Sequence, residues 1–180
     1  VIKKTALRDF ANVRRNGIIA ISLRKDDLLR WVKLSSGGEE IILTTSQGQA
    51  IRFKETQARP MGRGAAGVMA IRLRKDDQVS SLSIIRKDLK RARLLVIMER
   101  GYGKQTPLSQ YKTQKRGGSG IKTAKITAKT GAIVGALVAD EEKDLFVLSA
   151  KGQIIHTVID SVRVASRATQ GVKIMGLNLG

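Results

Sequence analysis

The 180-residue chain has no cysteine, a single histidine and two prolines, and only 3% of it is aromatic. Without cysteine there is no disulfide and no thiolate zinc site, and His156 alone cannot form a histidine cluster. Those absences suit a reducing cytosol. Long apolar runs are missing as well, as are a signal-peptide pattern and a lysine-rich helix with a hydrophobic face, so nothing marks the chain for a membrane. It opens VIKKTAL without methionine, which is the expected look of a piece cut from a larger protein. Acidic residues are scarce: 15 Asp and Glu stand against 34 Lys and Arg, a formal net charge of +19. A surface this positive repels itself. A polyanion that recruits the cations offsets the repulsion and gains entropy from released counterions, so nucleic acid leads the candidate partners. Because 42% of the residues are hydrophobic, the chain can still build a core and is not a disordered basic tail.

What is present is a repeat. Three segments carry an apolar run, a tight turn ending in glycine and a second extended run: IILTTSQGQAIRF, LLVIMERGYGKQT and LFVLSAKGQIIHT, with turn glycines Gly48, Gly101 and Gly152. Nineteen residues after each lies a second glycine with an alternating segment behind it: Gly67 before VMAIRLR, Gly120 before IKTAKIT and Gly171 before VKIMGLN. A partial earlier copy begins at Gly17 before IIAISLR, and the acidic turn LRKDD occurs at 23–27 and again at 73–77. The period is about 50 residues, with units of about 1–40, 41–90, 91–142 and 143–180 in a single repeat domain. Short strands rich in Ile, Val and Leu between Gly, Ser, Asn and Asp turns predict an all-β fold. Four strands fit one period, the size of a propeller-type blade, so the chain should hold about three and a half to four blades. Only 81–93 offers a helical turn or two.

Charge follows the same period. No acid occurs between Asp9 and Asp26, between Glu55 and Asp76, between Glu99 and Asp140, or after Asp160. Acids gather at the opposite turns: Asp26 and Asp27, Asp76 and Asp77, then Asp140, Glu141, Glu142 and Asp144. Solvated loops are ordinarily charged. Independent loops, however, have no reason to exclude acids four times. Stacked blades would line the acid-free loops along one rim, joining Arg14 and Arg15, Arg59 and Arg63, Lys115 and Arg116, and Arg163 and Arg167 into a positive band, with Lys104 and Lys122 as further cations of those windows.

The most distinctive of these loops is QKRGGSG, Gln114 to Gly120. Gly117, Gly118 and Gly120 permit positive φ and remove side chains that would hold a phosphate away from backbone N–H groups. Arg116 offers a planar donor fork, Lys115 a compact charge, and Gln114 and Ser119 neutral hydrogen bonds, a set suited to contacting phosphates without reading bases.

QKRGGSG resembles the gyrase box, the Gln-Arg-Arg-Gly-Gly-x-Gly loop of the C-terminal domain of bacterial DNA gyrase A. The flanking RGYGKQTPLSQY, the repeated glycine-led strands and the closing TQGVKIM are similar to blades of the same family, over essentially the whole chain. The resemblance implies a β-pinwheel that binds and wraps duplex DNA around its rim and has no catalytic residue of its own. It further implies a cytoplasmic, nucleoid-associated holoenzyme in which the N-terminal domains of gyrase A, together with gyrase B, use ATP and Mg to introduce negative supercoils; no cofactor is implied for this piece. Two departures stand out: Lys115 replaces the usual arginine, and the box lies in a later repeat whereas the family's principal box lies on the first blade. The corresponding C-terminal domain of topoisomerase IV, with similar blades and degenerate boxes, is the alternative within the resemblance.

Other function classes find less support. GYGKQT at 101–106 is not a nucleotide-binding phosphate loop, since Gln105 separates Lys104 from Thr106 and the first glycine of that motif is absent. His156 lies in an alternating strand and reads as a packed or half-exposed strand residue, and Tyr111, in phase with Phe10, as a packing aromatic. A protein-binding propeller of kelch type should repeat a double glycine and a tryptophan, yet Gly37-Gly38 and Trp31 occur once each. A single-strand or RNA binder needs stacking platforms, for which Phe10, Trp31, Phe53, Tyr102, Tyr111 and Phe146 are too few and too scattered.

Overall fold

The computed structural model describes residues 1–89, 91–139 and 144–177. Its first regular element is a hairpin, β1 (Glu40–Thr45) and β2 (Gln49–Lys54), closed by Gly48 at φ +85°. Five of the six β1 residues are buried, because neighbours cover the sheet on both faces. Ile41 and Leu43 pack with Ile51, Phe53, Ala70 and Ile71 on one side, while Ile42 and Ala50 pack on the other. This double burial explains why the segment reads as an unbroken apolar run where a one-sided strand would alternate.

The hairpin is extended by β3 (Val79–Ile85), antiparallel to β1 with Leu43 opposite Leu82. The 81–93 region expected to offer a helical turn holds none among its described residues: 81–85 continues β3, where a hydroxyl-rich alternating pattern suits a ladder against β1, and a turn follows at 87–88. The next repeat supplies β4 (Arg93–Met98), β5 (Tyr102–Pro107) and, beyond β6 (Ile121–Lys122), the strand β7 (Ile133–Ala139), which pairs with β4. A last hairpin, β8 (Asp144–Leu148) and β9 (Ile154–Val158), is followed by β10 (Val172–Lys173). Among the described residues these form two four-stranded sheets, ordered β3-β1-β2-β6 and β10-β5-β4-β7, and a two-stranded sheet β8-β9. Asp140, Glu141 and Glu142 of the expected acidic turns lie outside the described residues.

The fourth strand of each complete sheet comes from the following repeat. β6 crosses to pair with β2, placing Ile121 opposite Ala50, and β10 crosses to β5, placing Val172 opposite Gly103. Val68, at the same phase, forms a single bridge with Ile2. The segments behind the second glycines were expected to be alternating strands of their own units. Instead they are short straps laid on the preceding unit, with ladders of two residues at most.

Stacking then builds the core. Leu94, Val96 and Met98 face Ile42, Ala50 and Ile85 of the preceding sheet, and Leu95 on the opposite face of β4 packs with Leu145, Ile159 and Val162 of the following one. Each fully buried Leu or Ile there contributes on the order of 2 kcal/mol. The N-terminal quarter is different. Apart from the bridges of Ile2 and Lys4 and a short 3-10 turn at Leu7–Phe10, residues 1–38 carry no ladder, and Ile19, Leu28, Val32 and Leu34 are exposed. Residues 28–34 correspond by phase to β3 and β7, but among the described residues no strand stands where β1 or β4 would pair with them.

Candidate nucleic-acid interface

The cationic loops are seated by a bonding pattern that recurs in each repeat. Arg52 and Gln105, each the fourth residue of its strand, and Lys4, which lies outside any strand, form parallel bridges to Thr113, Val164 and Pro60 at the start of the next unit's loop. Their side chains repeat the seating. Arg52 donates from Nη1 to the carbonyls of Leu108 (2.9 Å) and Tyr111 (3.2 Å), and Gln105 donates from Nε2 to those of Ile159 (2.6 Å) and Val162 (2.9 Å). Arg52 is itself paired with Glu40, whose carboxyl also accepts from Thr113 Oγ1 at 2.6 Å. Burial of Glu40 opposes its ionisation, yet these hydrogen bonds and the Arg52 charge leave its pKa below the usual carboxylate value. The loops 59–64, 112–117 and 163–168 are thus seated on the preceding unit by equivalent bridges at equivalent phase.

Within each of these loops one arginine is turned inward. Arg63 donates to the carbonyl of Ile19 (3.3 Å), Arg116 to that of Met69, and Arg167 to that of Lys122 (3.1 Å). Each acceptor lies two residues past a second glycine, so every such arginine clasps the strap of the unit before it. Two glutamines complete the clasp from the short 3-10 turns: Gln57 Oε1 accepts from the Arg116 backbone N–H at 2.7 Å, and Gln110 Oε1 from that of Arg167 at 3.4 Å. Neither glutamine is flagged by charge. Their common signal is their place nine residues after a turn glycine.

The QKRGGSG glycines serve the same docking. Gly117, at φ +82°, donates its N–H to Ala70 at 2.8 Å, and the Gly118 carbonyl accepts from Arg72 N–H at 2.9 Å. Gly120, at φ +71°, approaches the first sheet so closely that a Cβ would stand 2.6 Å from the Ala50 carbonyl oxygen. The expectation that Gly117 leaves its N–H for a phosphate is therefore corrected: that group is spent between repeats. The backbone of Gln114 is spent there too, through its N–H to the Arg52 carbonyl (2.7 Å) and its own carbonyl to Gln57 Nε2 (3.2 Å).

Exposed cations remain beside the clasps. Arg14, Arg15, Arg59, Lys115, Lys122 and Arg163 are exposed, as is Ser119, while Arg63, Arg116 and Arg167 are half-buried. The Arg167 bond brings Lys122 against the 163–168 loop. Arg14 departs from the pattern: counted back from its glycine it matches Gly64 and Gly117, and Val13 holds the place of the clasping arginine.

Lys104 is a correction. Its relative exposure is 0%, and Nζ donates to the carbonyls of Ser166 (2.6 Å) and Arg167 (2.7 Å) and to Thr169 Oγ1 (3.2 Å), so it cannot reach a phosphate outside. Burial, with the Arg167 charge as a lesser cause, lowers its pKa to about 8. Lys3 holds the same phase and donates to the carbonyls of Ala20 (2.7 Å) and Arg63.

The remaining candidates are structural. Tyr111 is buried, with its hydroxyl 2.5 Å from Thr123 Oγ1, and burial raises its pKa. His156 is exposed on β9, stacked on Phe146 at 4.4 Å between centroids and 2.9 Å from Asp144. Among the described residues no three His, Cys, Asp or Glu side chains are grouped to hold a metal ion, and no helix is long and apolar enough to cross a membrane.

Comparison with known proteins places this geometry. The family model described as DNA gyrase C-terminal domain, beta-propeller, matches residues 1–36, 39–86, 93–140 and 143–180. The DNA gyrase A protein of a Staphylococcus epidermidis strain is 41% identical over all 180 residues, and that of Staphylococcus aureus is 42% identical over 177 residues, 98% of the chain. The chain spans 20% of the length of those relatives. The crystal structure of the C-terminal domain of DNA topoisomerase IV superposes with a TM-score of 0.90 at 26% identity, over 97% of this chain and 54% of that one. The structure of the DNA gyrase A C-terminal domain gives 0.84 at 25% identity, over 92% and 56%.

Proposed function

On the premise that the chain belongs to the DNA gyrase C-terminal domain family, which the family model and the gyrase A relatives establish, we propose that it binds duplex DNA along its rim of cationic loops and bends it. The observation that carries this reading is the equivalent bridging of the loops 59–64, 112–117 and 163–168 to the unit before each, which leaves Arg59, Lys115 and Arg163 exposed in successive loops. Bending a site of 20 to 30 base pairs costs on the order of 1 to 6 kcal/mol, so the contacts must be spread along the arc. Loops on successive units spread them. The side chains offered outward are cations and a hydroxyl, which suit phosphates and lack the fixed amide pairs that read adenine or the aromatic shelves that stack unpaired bases.

In the whole enzyme this module would serve ATP-dependent negative supercoiling, with ATP and Mg held elsewhere in the holoenzyme and no reaction catalysed by this chain. Its partners would be duplex DNA, the N-terminal domains of gyrase A, and gyrase B, in a bacterial cytoplasm at the nucleoid. A second reading, the equivalent module of topoisomerase IV, is favoured by the TM-score of 0.90 to that enzyme's C-terminal domain. Titrating the chain with duplex and with single-stranded DNA of matched length over a salt series tests the proposal. Duplex binding should be the tighter, insensitive to sequence and steeply salt-dependent, by about −0.9 in log–log slope per phosphate neutralised. Preference for single strands, or a flat salt response, would refute it.

A further inference from the structure

The rim loops do not all rest on the same chemistry. Three residues past each turn glycine, the strand places a side chain beneath the next repeat's loop: Ile51 under Gly118, and Lys104 under Ser166 and Arg167, with Lys3 at the same phase reaching the Arg63 carbonyl. Ile155 stands at that phase in β9. A hydrocarbon tip and an ammonium thus alternate along these positions, and of the two ammonium groups only that of Lys104 is fully buried.

At Lys104 the fit is stoichiometric. An ammonium has three N–H groups and no lone pair, and it meets three acceptors, Ser166 O, Arg167 O and Thr169 Oγ1. The acceptors also hold one another, since Thr169 Oγ1 donates to the Ser166 carbonyl at 2.9 Å. A neutral amine has two N–H groups, enough for the two carbonyls, but its lone pair would then take the Thr169 hydroxyl proton and so break the bond by which Thr169 Oγ1 holds the Ser166 carbonyl.

We propose that Lys104 is a positioning residue of the rim: its protonated ammonium holds the 166–169 turn so that Arg167 stays clasped to Lys122 and Arg163 stays presented outward, and the loop lets go when the proton leaves. The proposal rests on the DNA-binding reading for its functional consequence, though not for the loop-holding itself.

The surroundings favour loss of that proton within an accessible range. The charged side chains on the elements around Lys104 are predominantly cations: Arg163 and Arg167 on the loop, Lys122 and Lys125 on the strap, and Lys173 on β10. On β4, Lys104 lies opposite Val96, and Arg93 at the far end of that strand is paired with Asp160 at 3.3 Å. The remaining titratable neighbour, Tyr111, is tied to Thr123 with its pKa raised, so it stays neutral as the lysine titrates. Burial first and Arg167 second bring the Lys104 pKa to about 8. The sign follows from linkage: a ligand that needs the protonated form loses affinity as pH rises through that pKa.

The test is a pH titration followed at two points. Between about pH 6.5 and 9.5, the backbone amide resonances of Ser166, Arg167 and Thr169 should move together with a midpoint near 8, without DNA and without any substitution. Over the same range duplex affinity should fall by up to about tenfold, and Lys104→Ile, which installs the residue found at the same phase in Ile51 and Ile155, should bind more weakly at neutral pH with that fall abolished. Amides that do not titrate, or parallel affinity profiles for the chain and its Lys104→Ile variant, overturn the proposal. Amides that titrate in a chain binding no duplex at any pH would uphold the loop-holding role and overturn the DNA-binding reading.

Discussion

Gly120→Ala should lower the stability of the chain by about 3 to 5 kcal/mol, a sum of two costs at one atom. The first is conformational: φ of +71° lies in the left-handed region, which costs a residue with a Cβ about 1 to 2 kcal/mol. The second is steric. The added Cβ would stand 2.6 Å from the Ala50 carbonyl oxygen and 2.9 Å from its carbon, both backbone atoms of β2 that cannot swing aside. Relief requires β6 to leave β2, giving up the ladder by which this repeat straps the one before it. Gly117→Ala is the control, since its φ of +82° carries the conformational cost but the nearest atom would be 3.8 Å away. Its loss should be about 1 kcal/mol. Denaturant midpoints at constant slope read both. Equal losses would mean that the close approach of the repeats is not what Gly120 provides.

The largest effect on binding should come from Arg59, Lys115, Lys122 and Arg163 changed together to alanine. All four are exposed, so stability should stay within about 0.5 kcal/mol. If each neutralises one phosphate, the log–log salt slope becomes shallower by three to four units and duplex affinity at about 0.15 M salt drops on the order of 10²- to 10³-fold. Arg116→Ala should behave in the opposite way. Its guanidinium donates to the Gln57 carbonyl at 3.2 Å and to that of Met69, so the change should cost about 1 to 2 kcal/mol of stability with a smaller effect on the slope. A quadruple variant that keeps the parent slope would remove the exposed cations from the interface.

Particular residues show how far the sequence carries. The turn glycines Gly48, Gly101 and Gly152 and the aliphatic runs before them predict the β1-β2, β4-β5 and β8-β9 hairpins, because short-range turn chemistry and burial both leave local marks. Strand partnership leaves none. Nothing in IKTAKIT says that Ile121 belongs to the preceding sheet, so the exchange of straps between repeats was not legible, nor was the lack of a ladder at 18–24, which finds no partner strand among the described residues. The acid-free windows located the loops but did not separate their cations. Arg59 and Lys115 are exposed, Arg116 two positions from Gln114 is half-buried, and Lys104 is fully buried; that difference depends on which carbonyls the next repeat presents. Charge is a property of the residue, whereas its availability to a phosphate is a property of the packing.

The central claim is that cations on successive repeats act on one continuous, curved duplex. Ligating nicked circular DNA in the presence of increasing amounts of the chain, then removing protein and measuring linking number, tests it most directly. A linking-number shift that grows with protein and disappears in the Arg59, Lys115, Lys122, Arg163 variant is the predicted result. Saturating duplex binding with no shift in linking number would contradict it.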